Sequence, residues 1–484
     1  MVFITWRGAS RGNRCWIEKD RRPQFLDAPP AGGYHAADPL PGGAIMSISR
    51  RSFLTSTAIA GAALAANAAA PEAAATQSAP GLVPSPAGFN PNDPALKYDL
   101  VIAGGEVLDP SQKLRGKRDI GIKNGQVAAI AASIAPERSV QRIDASGKLV
   151  TPGLVDLHTH SCPHISGIGL PADELVGITA TTTAVSCGDA GWHTFGAFRH
   201  WVAAESRTRL FAFVHISAIG LTGCLGASPG EMLNLDYAVV DSCAKTVAEN
   251  PDMVLGVKVR ISDYTVGQNG IEPLRRAIKA AEVAGAGARV MCHIGRAPGN
   301  LADLLDLLRP GDVLTHAFSG AGNNVVQNGK LLPAAMAAKQ RGVIMDVGHG
   351  GGSFDFTIAD SAMQQGLMPD TISSDIHAAS INSPSYPTLP WVMSKFLALG
   401  MPLEEIVART TIEPAKVIGR VPGLGTLQIG APADLSILDV VEGPVDMVDT
   451  MKNTRHGAKK IVPVLTVRAG RPFGRPPLPL SFTY

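Results

Sequence analysis

Along the middle of the chain, short apolar runs alternate with segments long enough for helices, and several of the runs share one habit: the apolar stretch stops at a residue with chemistry in it. Val150–His160 reads as a Pro152-Gly153 turn feeding a short apolar strand that ends in His158 and His160, with Thr159 between them. Side chains on a strand alternate faces, so His158 and His160 point the same way and can offer two imidazoles to one ion. Further runs follow at Ala180–Val185, Leu210–Val214, Val254–Lys258, Arg289–His293, Asp312–His316, Gly342–Asp346 and Thr371–Asp375. That makes eight. Strands alternating with helical segments predict a parallel sheet, and eight of them predict a (β/α)8 barrel over 152–419, with functional residues at the carboxyl ends of the strands. Strands one, four, five, six and eight then carry His158 and His160, Lys258, His293, His316 and Asp375 to one rim.

Outside the barrel the pattern changes. Asp99–Gly105 and Asp119–Val127 are short strands broken by Gly and Asn-Gly turns, a signature of antiparallel β structure, and Gly425–Asp439 has the same character far downstream. The expected division places a β-sandwich domain in 97–151 and 420–475, around the barrel. Residues 71–96, rich in Ala, Pro and Ser, read as a linker. Before them, Arg50 and Arg51 precede an apolar run from Thr55 to Ala70, which resembles a twin-arginine export signal over 46–70; Met46 is then the expected start, and residues 1–45 an extension without a buriable face. That signal implies a periplasmic or secreted protein with no membrane span after cleavage.

Composition narrows the class. The 484 residues are 45% hydrophobic and 17% charged with a net charge of +2, which gives no electrostatic case for nucleic acid or an anionic membrane surface. A small-molecule substrate is the expected partner, and a homo-oligomer is compatible with the sequence. The six cysteines show no framework spacing; Cys162, Cys187 and Cys292 fall near the rim as packing residues, and Cys224 with Cys243 are the one pair open to a disulfide.

The ordered set His158, His160, Lys258, His293, His316 and Asp375 resembles the binuclear metallohydrolases of the amidohydrolase superfamily. Gly256–Arg260, Arg309–Phe318, Asp346–Gly350 and Pro369–His377 are similar, more narrowly, to its dihydroorotase-like deacetylase branch, over residues 98 to 440. The resemblance implies two divalent ions, most simply zinc: His158, His160 and Asp375 hold one, His293 and His316 the other. Lys258 bridges them. An ammonium cannot ligate a cation, so the bridge requires Lys258 to lose its proton and react with carbon dioxide to form a carbamate; burial and adjacent cations favour that loss. Asp375 is also the catalytic proton carrier. Two carboxylate-adjacent roles stay open for Arg260, a clamp for a substrate carboxylate or a structural ion pair. His349 is a candidate donor to the substrate carbonyl, and His377 a candidate substrate contact or orienting partner of Asp375. His215 reads as a rim histidine, and His164, His193 and His200 as loop or helix residues without a role.

The expected function is a metal-dependent hydrolase of an amide or ester bond, removing an N-acyl or O-acyl group from a small carboxylic acid. Hydrolysis of a cyclic amide, as by dihydroorotase, and of an aminoacyl or dipeptide amide remain alternatives. So does a degenerate barrel serving as a periplasmic binding protein, against which the bridging lysine argues.

Overall fold

The computed structural model describes residues 93 and 95–473, apart from 227–229 and 286. The expected extension and signal segment lie outside the described residues. Among the described residues no helix is long and apolar enough to cross a membrane.

Seven parallel strands run in sequence order around the barrel: Leu154–Thr159, Thr181–Gly191, Arg209–His215, Val254–Ile261, Arg289–Ile294, Val313–Thr315 and Ile344–Met345. The eighth stave is less regular than the sequence predicts. Thr371 bridges to Asp346 and Ile376 to Thr159, both in parallel, so the segment between them closes the ring. The His160 and Asp375 amides complete the seam by donating to Ile376 O and His158 O at 3.0 and 2.7 Å. A continuous ladder cannot form here, because Asp375 takes a left-handed backbone, φ 47°.

Inside the barrel, Val155, Leu157, Phe211, Phe213, Leu255, Met291 and Val313 pack with Ala415, Ile418 and Leu424 into one apolar core. The alternate positions, among them Val257, Val259, Val290, Cys292 and Leu314, belong to the larger core shared with the outer helices. Helix Glu272–Ala284 shows the matching face, with Leu274, Ala277, Ala280 and Ala281 buried at intervals of three and four.

Two breaks in this alternation decide what reaches the rim. In the fourth strand Leu255 points into the core, so simple alternation would send Lys258 outward. The register against the third strand slips by one at this point, Ala212 facing Val254 and Phe213 facing Gly256, and the bulge turns Lys258 and Arg260 inward. Only glycine fits: a Cβ on Gly256 would lie 1.9 Å from the Arg289 carbonyl oxygen. In the first strand a second slip, between Asp156 opposite Ala184 and Thr159 opposite Ser186, follows inward Leu157 and brings His158 and His160 in above it.

Both flanks of the barrel meet in an eight-stranded mixed sheet. Its order is Arg471–Pro472, Thr454–Arg468, Leu435–Val448, Leu149–Pro152, Tyr98–Asp109, Leu114–Lys123 and Gln126–Ala131, with Ser139–Asp144 beside Tyr98–Asp109. Leu149–Pro152 is the shared member, parallel to Tyr98–Asp109 and antiparallel to Leu435–Val448. Leu100, Ile102, Ile120, Val150, Leu435 and Ile437 form its core. Cys162, Cys187, Cys243 and Cys292 are buried thiols, so Cys243 is not bridged to Cys224.

Candidate metal centre

The rim gathers His158, His160, Lys258, His293, His316 and Asp375 within one cluster. Asp375 Oδ1 lies 3.0 Å from His160 Nε2 and 3.3 Å from His158 Nε2. Lys258 Nζ is 3.0 Å from His158 Nε2 on its other side. The His316 ring centroid is 5.1 Å from that of His158 and 4.3 Å from that of His293. His316 follows Thr315, and both face inward because the backbone turns left-handed at His316, φ 65°. Such a conformation in a non-glycine residue costs energy and persists where the surroundings fix it. The surroundings here include Gly348, on which a Cβ would come within 2.3 Å of Thr315 Oγ1 and 2.8 Å of His316 Nδ1.

Each imidazole is turned by a partner. Asp189 Oδ1 accepts from His160 Nδ1–H at 3.0 Å, and Ser186 Oγ donates to the other Asp189 oxygen at 2.5 Å. Gly348 O accepts from His316 Nδ1–H at 2.6 Å. His316 therefore keeps Nε2 as a bare acceptor, and His160 turns its Nε2 toward Asp375 Oδ1, 3.0 Å away. His293 is held the other way round, with Ser262 Oγ 3.1 Å from Nε2, which leaves Nδ1 for a ligand. His158 Nδ1 meets Thr315 Oγ1 at 2.8 Å.

The electrostatics suit a cation. Burial pushes the imidazoliums of His158 and His293 well below the usual histidine range and that of His316 down to about 4, so all three are neutral at pH 7. Burial opposes ionisation of Asp375, but His158, His160 and His316 around it outweigh that and hold its carboxyl well below the ordinary range. His160 is the exception. Burial lowers it, yet Asp189 and Asp375 on either side raise it to about 9. Burial also lowers the Lys258 ammonium, with Arg260 adding to the effect. Asp375 Oδ1 is buried and has no well-aligned hydrogen bond among the described residues. A buried carboxylate facing the neutral imidazole of His158 and the imidazole of His160, whose extra proton a cation would replace, fits a divalent cation; His158, His160 and Asp375 bring their donor atoms within 4.8 Å of one another.

A cavity of about 400 Å³ opens over the cluster, bordered by Ile168, Arg260, Tyr264, Arg296, Gly351 and His377. Arg260 Nη1 donates to Glu231 Oε1 at 2.5 Å and to Cys224 Sγ at 3.1 Å, and Nη2 donates to the Tyr264 hydroxyl at 3.1 Å. The structure thus makes Arg260 both an ion-pair member and a wall of the cavity. His377 also lines it, its ring centroid 5.9 Å from that of His160, and its buried Nδ1 has no partner among the described residues. His215 ends 3.6 Å from Glu231 behind this wall.

His349 is a correction. It is fully buried and outside the cavity lining. Its Nδ1–H donates to Gly350 O at 2.8 Å, its Nε2 accepts from Lys395 Nζ at 2.8 Å, and its ring stacks on Phe354. Both nitrogens are spent inside the protein, so neither can reach a substrate carbonyl. Lys395 also donates to Ser385 O and Val448 O, each at 2.7 Å, which satisfies a fully buried ammonium.

Sequence reasoning missed Asp189, Ser262, Thr315, Glu231 and Lys395. Only Asp189 carried a signal, its place in the Gly188–His193 stretch that reads from sequence as a loop lining the pocket, although the second strand in fact runs through it to Gly191; the others become partners only when distant segments meet.

Comparison with known proteins extends the geometry. A profile of the amidohydrolase family matches residues 355–472. A deacetylase of Agrobacterium fabrum is 34% identical over 328 residues, 68% of this chain and 79% of the relative. A deacetylase of Enterococcus faecalis is 31% identical over 379 residues, 78% of this chain and 99% of the relative. Among solved structures, an adenine deaminase superposes with a TM-score of 0.71 at 30% identity, and a dihydroorotase with 0.72 at 29%. Each aligns with 78% of this chain, and the alignments take in 100% and 98% of those structures. The chain therefore belongs to the amidohydrolase family and is a hydrolase.

Proposed function

We propose that the protein is a binuclear metal-dependent deacylase, removing an N-acyl or O-acyl group from a small substrate that carries a carboxylate. One observation carries the reading: Asp375 Oδ1, buried and without a well-aligned hydrogen bond among the described residues, lies 3.0 and 3.3 Å from the Nε2 atoms of His160 and His158. His158, His160 and Asp375 would hold one divalent ion, most simply zinc, and His293 and His316 a second, with Lys258 between them as a carbamate. Burial favours the neutral amine of Lys258, the form that adds to carbon dioxide with loss of a proton. When bound, the metal pair supplies Lewis acidity that makes water a nucleophile near neutral pH and polarises a carbonyl.

The chain's own groups do the rest. Asp375 is ionised at pH 7 and sits where it can take the proton of the attacking water and hand it to the leaving nitrogen or oxygen. Arg260 keeps its Nε–H and one Nη2–H without a partner among the described residues, because Glu231 and Cys224 occupy Nη1 and Tyr264 takes the other Nη2 proton. Two parallel donors on one guanidinium edge match a carboxylate. The deacetylases among the relatives support acyl removal; the dihydroorotase and adenine deaminase likenesses keep cyclic amides and amidines in view. Zinc-loaded protein assayed on an N-acyl amino acid, an O-acyl hydroxy acid, a cyclic ureide and a dipeptide decides: turnover of an acyl substrate is expected, and turnover of the ureide alone would replace the reading.

A further inference from the structure

Asp346 is wholly buried beyond the seventh strand and touches no substrate wall. Three hydroxyls converge on it. Thr315 Oγ1 and Ser373 Oγ donate to Oδ2 at 2.7 and 2.8 Å, and Thr371 Oγ1 donates to Oδ1 at 2.6 Å. Burial pushes the Asp346 carboxyl up, and the three hydroxyls and the Lys258 charge oppose that; as a carboxylate it only accepts, and each hydroxyl has one hydrogen. Thr315 therefore spends its proton on Asp346, and its remaining contact, His158 Nδ1 at 2.8 Å, can only be one in which the imidazole donates. His158 carries its hydrogen on Nδ1 and leaves Nε2 bare, where Lys258 Nζ already donates to it at 3.0 Å.

The second oxygen contact does the same for another histidine. Ser373 has given its proton to Asp346, so its oxygen accepts the Gly348 amide at 2.9 Å. That bond anchors Gly348 from one side, and the following peptide, whose Gly348 carbonyl accepts from His316 Nδ1–H at 2.6 Å, is held by the same serine through His349 N–H donating to Ser373 O at 3.2 Å. Direct contact is absent: Asp346 Oδ2 is 3.9 Å from His158 Nδ1, with the threonine oxygen as the intermediary.

We propose that Asp346 is a positioning residue that sets the tautomer of His158 through Thr315 and the orientation of His316 through Ser373 and Gly348, so that one non-ligating carboxylate aims histidines assigned to both metal sites. The inference rests on the metal-centre reading of the proposed function. Partners of this kind are typically worth about 10–100-fold in metal affinity.

The test is a set of substitutions read by zinc competition titration of chelator-stripped protein and by nitrogen-15 histidine spectra of the same apo-protein. Asp346→Asn keeps the volume but can turn a donor toward Thr315, which frees that hydroxyl to donate to His158 and drives the imidazole hydrogen to Nε2. About 10–100-fold weaker zinc binding is expected, with the His158 signals changing to the Nε2–H tautomer. Thr315→Val should lose a similar factor, while Thr315→Ser, which restores the relay hydroxyl, should bind zinc within about threefold of the parent, well short of that factor. Wild-type affinity in Thr315→Val, or an equal loss in Thr315→Ser, would overturn the relay. If Asp346→Asn does not fold, the threonine pair decides alone. If the parent itself binds no zinc, the functional reading fails, while an Nδ1–H or Nε2–H signal for His158 in the apo-protein still upholds or overturns the relay.

Discussion

The floor and the wall of the cavity are built differently. On the floor, His158, His160, Lys258, His293, His316 and Asp375 stand at or just past strand ends, and each is at least nine-tenths buried. Their partners come from neighbouring staves: Asp189 from the second, Thr315 from the sixth, the Gly348 carbonyl from the turn after the seventh. On the wall, Arg260 leans on Glu231, and Tyr264 and Arg296 reach in from segments beyond the strands, with Tyr264 43% exposed and Arg296 paired to Asp263 in solvent. Strand ends and the backbone seams between staves carry the floor; the wall, apart from Arg260 on the fourth strand, is carried by segments beyond the strands. Reaction chemistry and substrate choice are thereby separable, since the wall can be rebuilt while the barrel holds the floor.

The separation predicts a descending series of effects. Lys258→Ala should lose metal and activity together, to background, because it removes the group proposed to bridge the two sites; full metal content with full turnover would break the distinction at its root. Asp375→Asn keeps a carbonyl oxygen for a cation but cannot accept a proton. At saturating zinc its kcat should fall by about 10²–10⁴-fold while metal content falls far less. Restoration of turnover by excess zinc would reduce Asp375 to a ligand.

Wall substitutions should act on binding. Arg260→Lys preserves the buried charge facing Glu231 but loses the forked edge, so KM for an anionic substrate should rise by about tenfold with kcat little changed. An equal fall in kcat with KM unmoved would place Arg260 with the floor. Smallest is Arg296→Ala. Its ion pair with Asp263 has both side chains more than half exposed, so thermal stability should change by less than about 1 kcal/mol and kcat/KM by only a few fold.

The same contrast explains what could be read from sequence. A barrel makes strand order and strand end meaningful, so apolar runs ending in His, Lys or Asp carried the fold class and brought the six floor residues to one rim. Alternation alone was a poor guide to direction. Lys258 and the two first-strand histidines face inward only because bulges at Gly256 and between Asp156 and Thr159 reset the count. His349 shows the other failure. A histidine among glycines past a strand end looked like a substrate contact, yet Lys395, from the helix Leu389–Ala398, consumes its second nitrogen. No local pattern announces a partner 46 positions away. Glu231 was invisible for the same reason, since its meaning comes from Arg260.

The strand Leu149–Pro152 lies between Tyr98–Asp109 and Leu435–Val448. During synthesis its first neighbour emerges before it, and its second only after the whole barrel. Until then one edge of the early sheet stays open, with Leu149 and Val150 lacking their antiparallel cover, and an open apolar edge invites pairing with another chain. The barrel must therefore be traversed before the β domain can close, and a ribosome stalled within the barrel would present a sticky half-sheet. Yield of folded protein should depend on the last strands arriving promptly, which makes the carboxyl-terminal flank a timer for assembly as well as a part of the finished molecule.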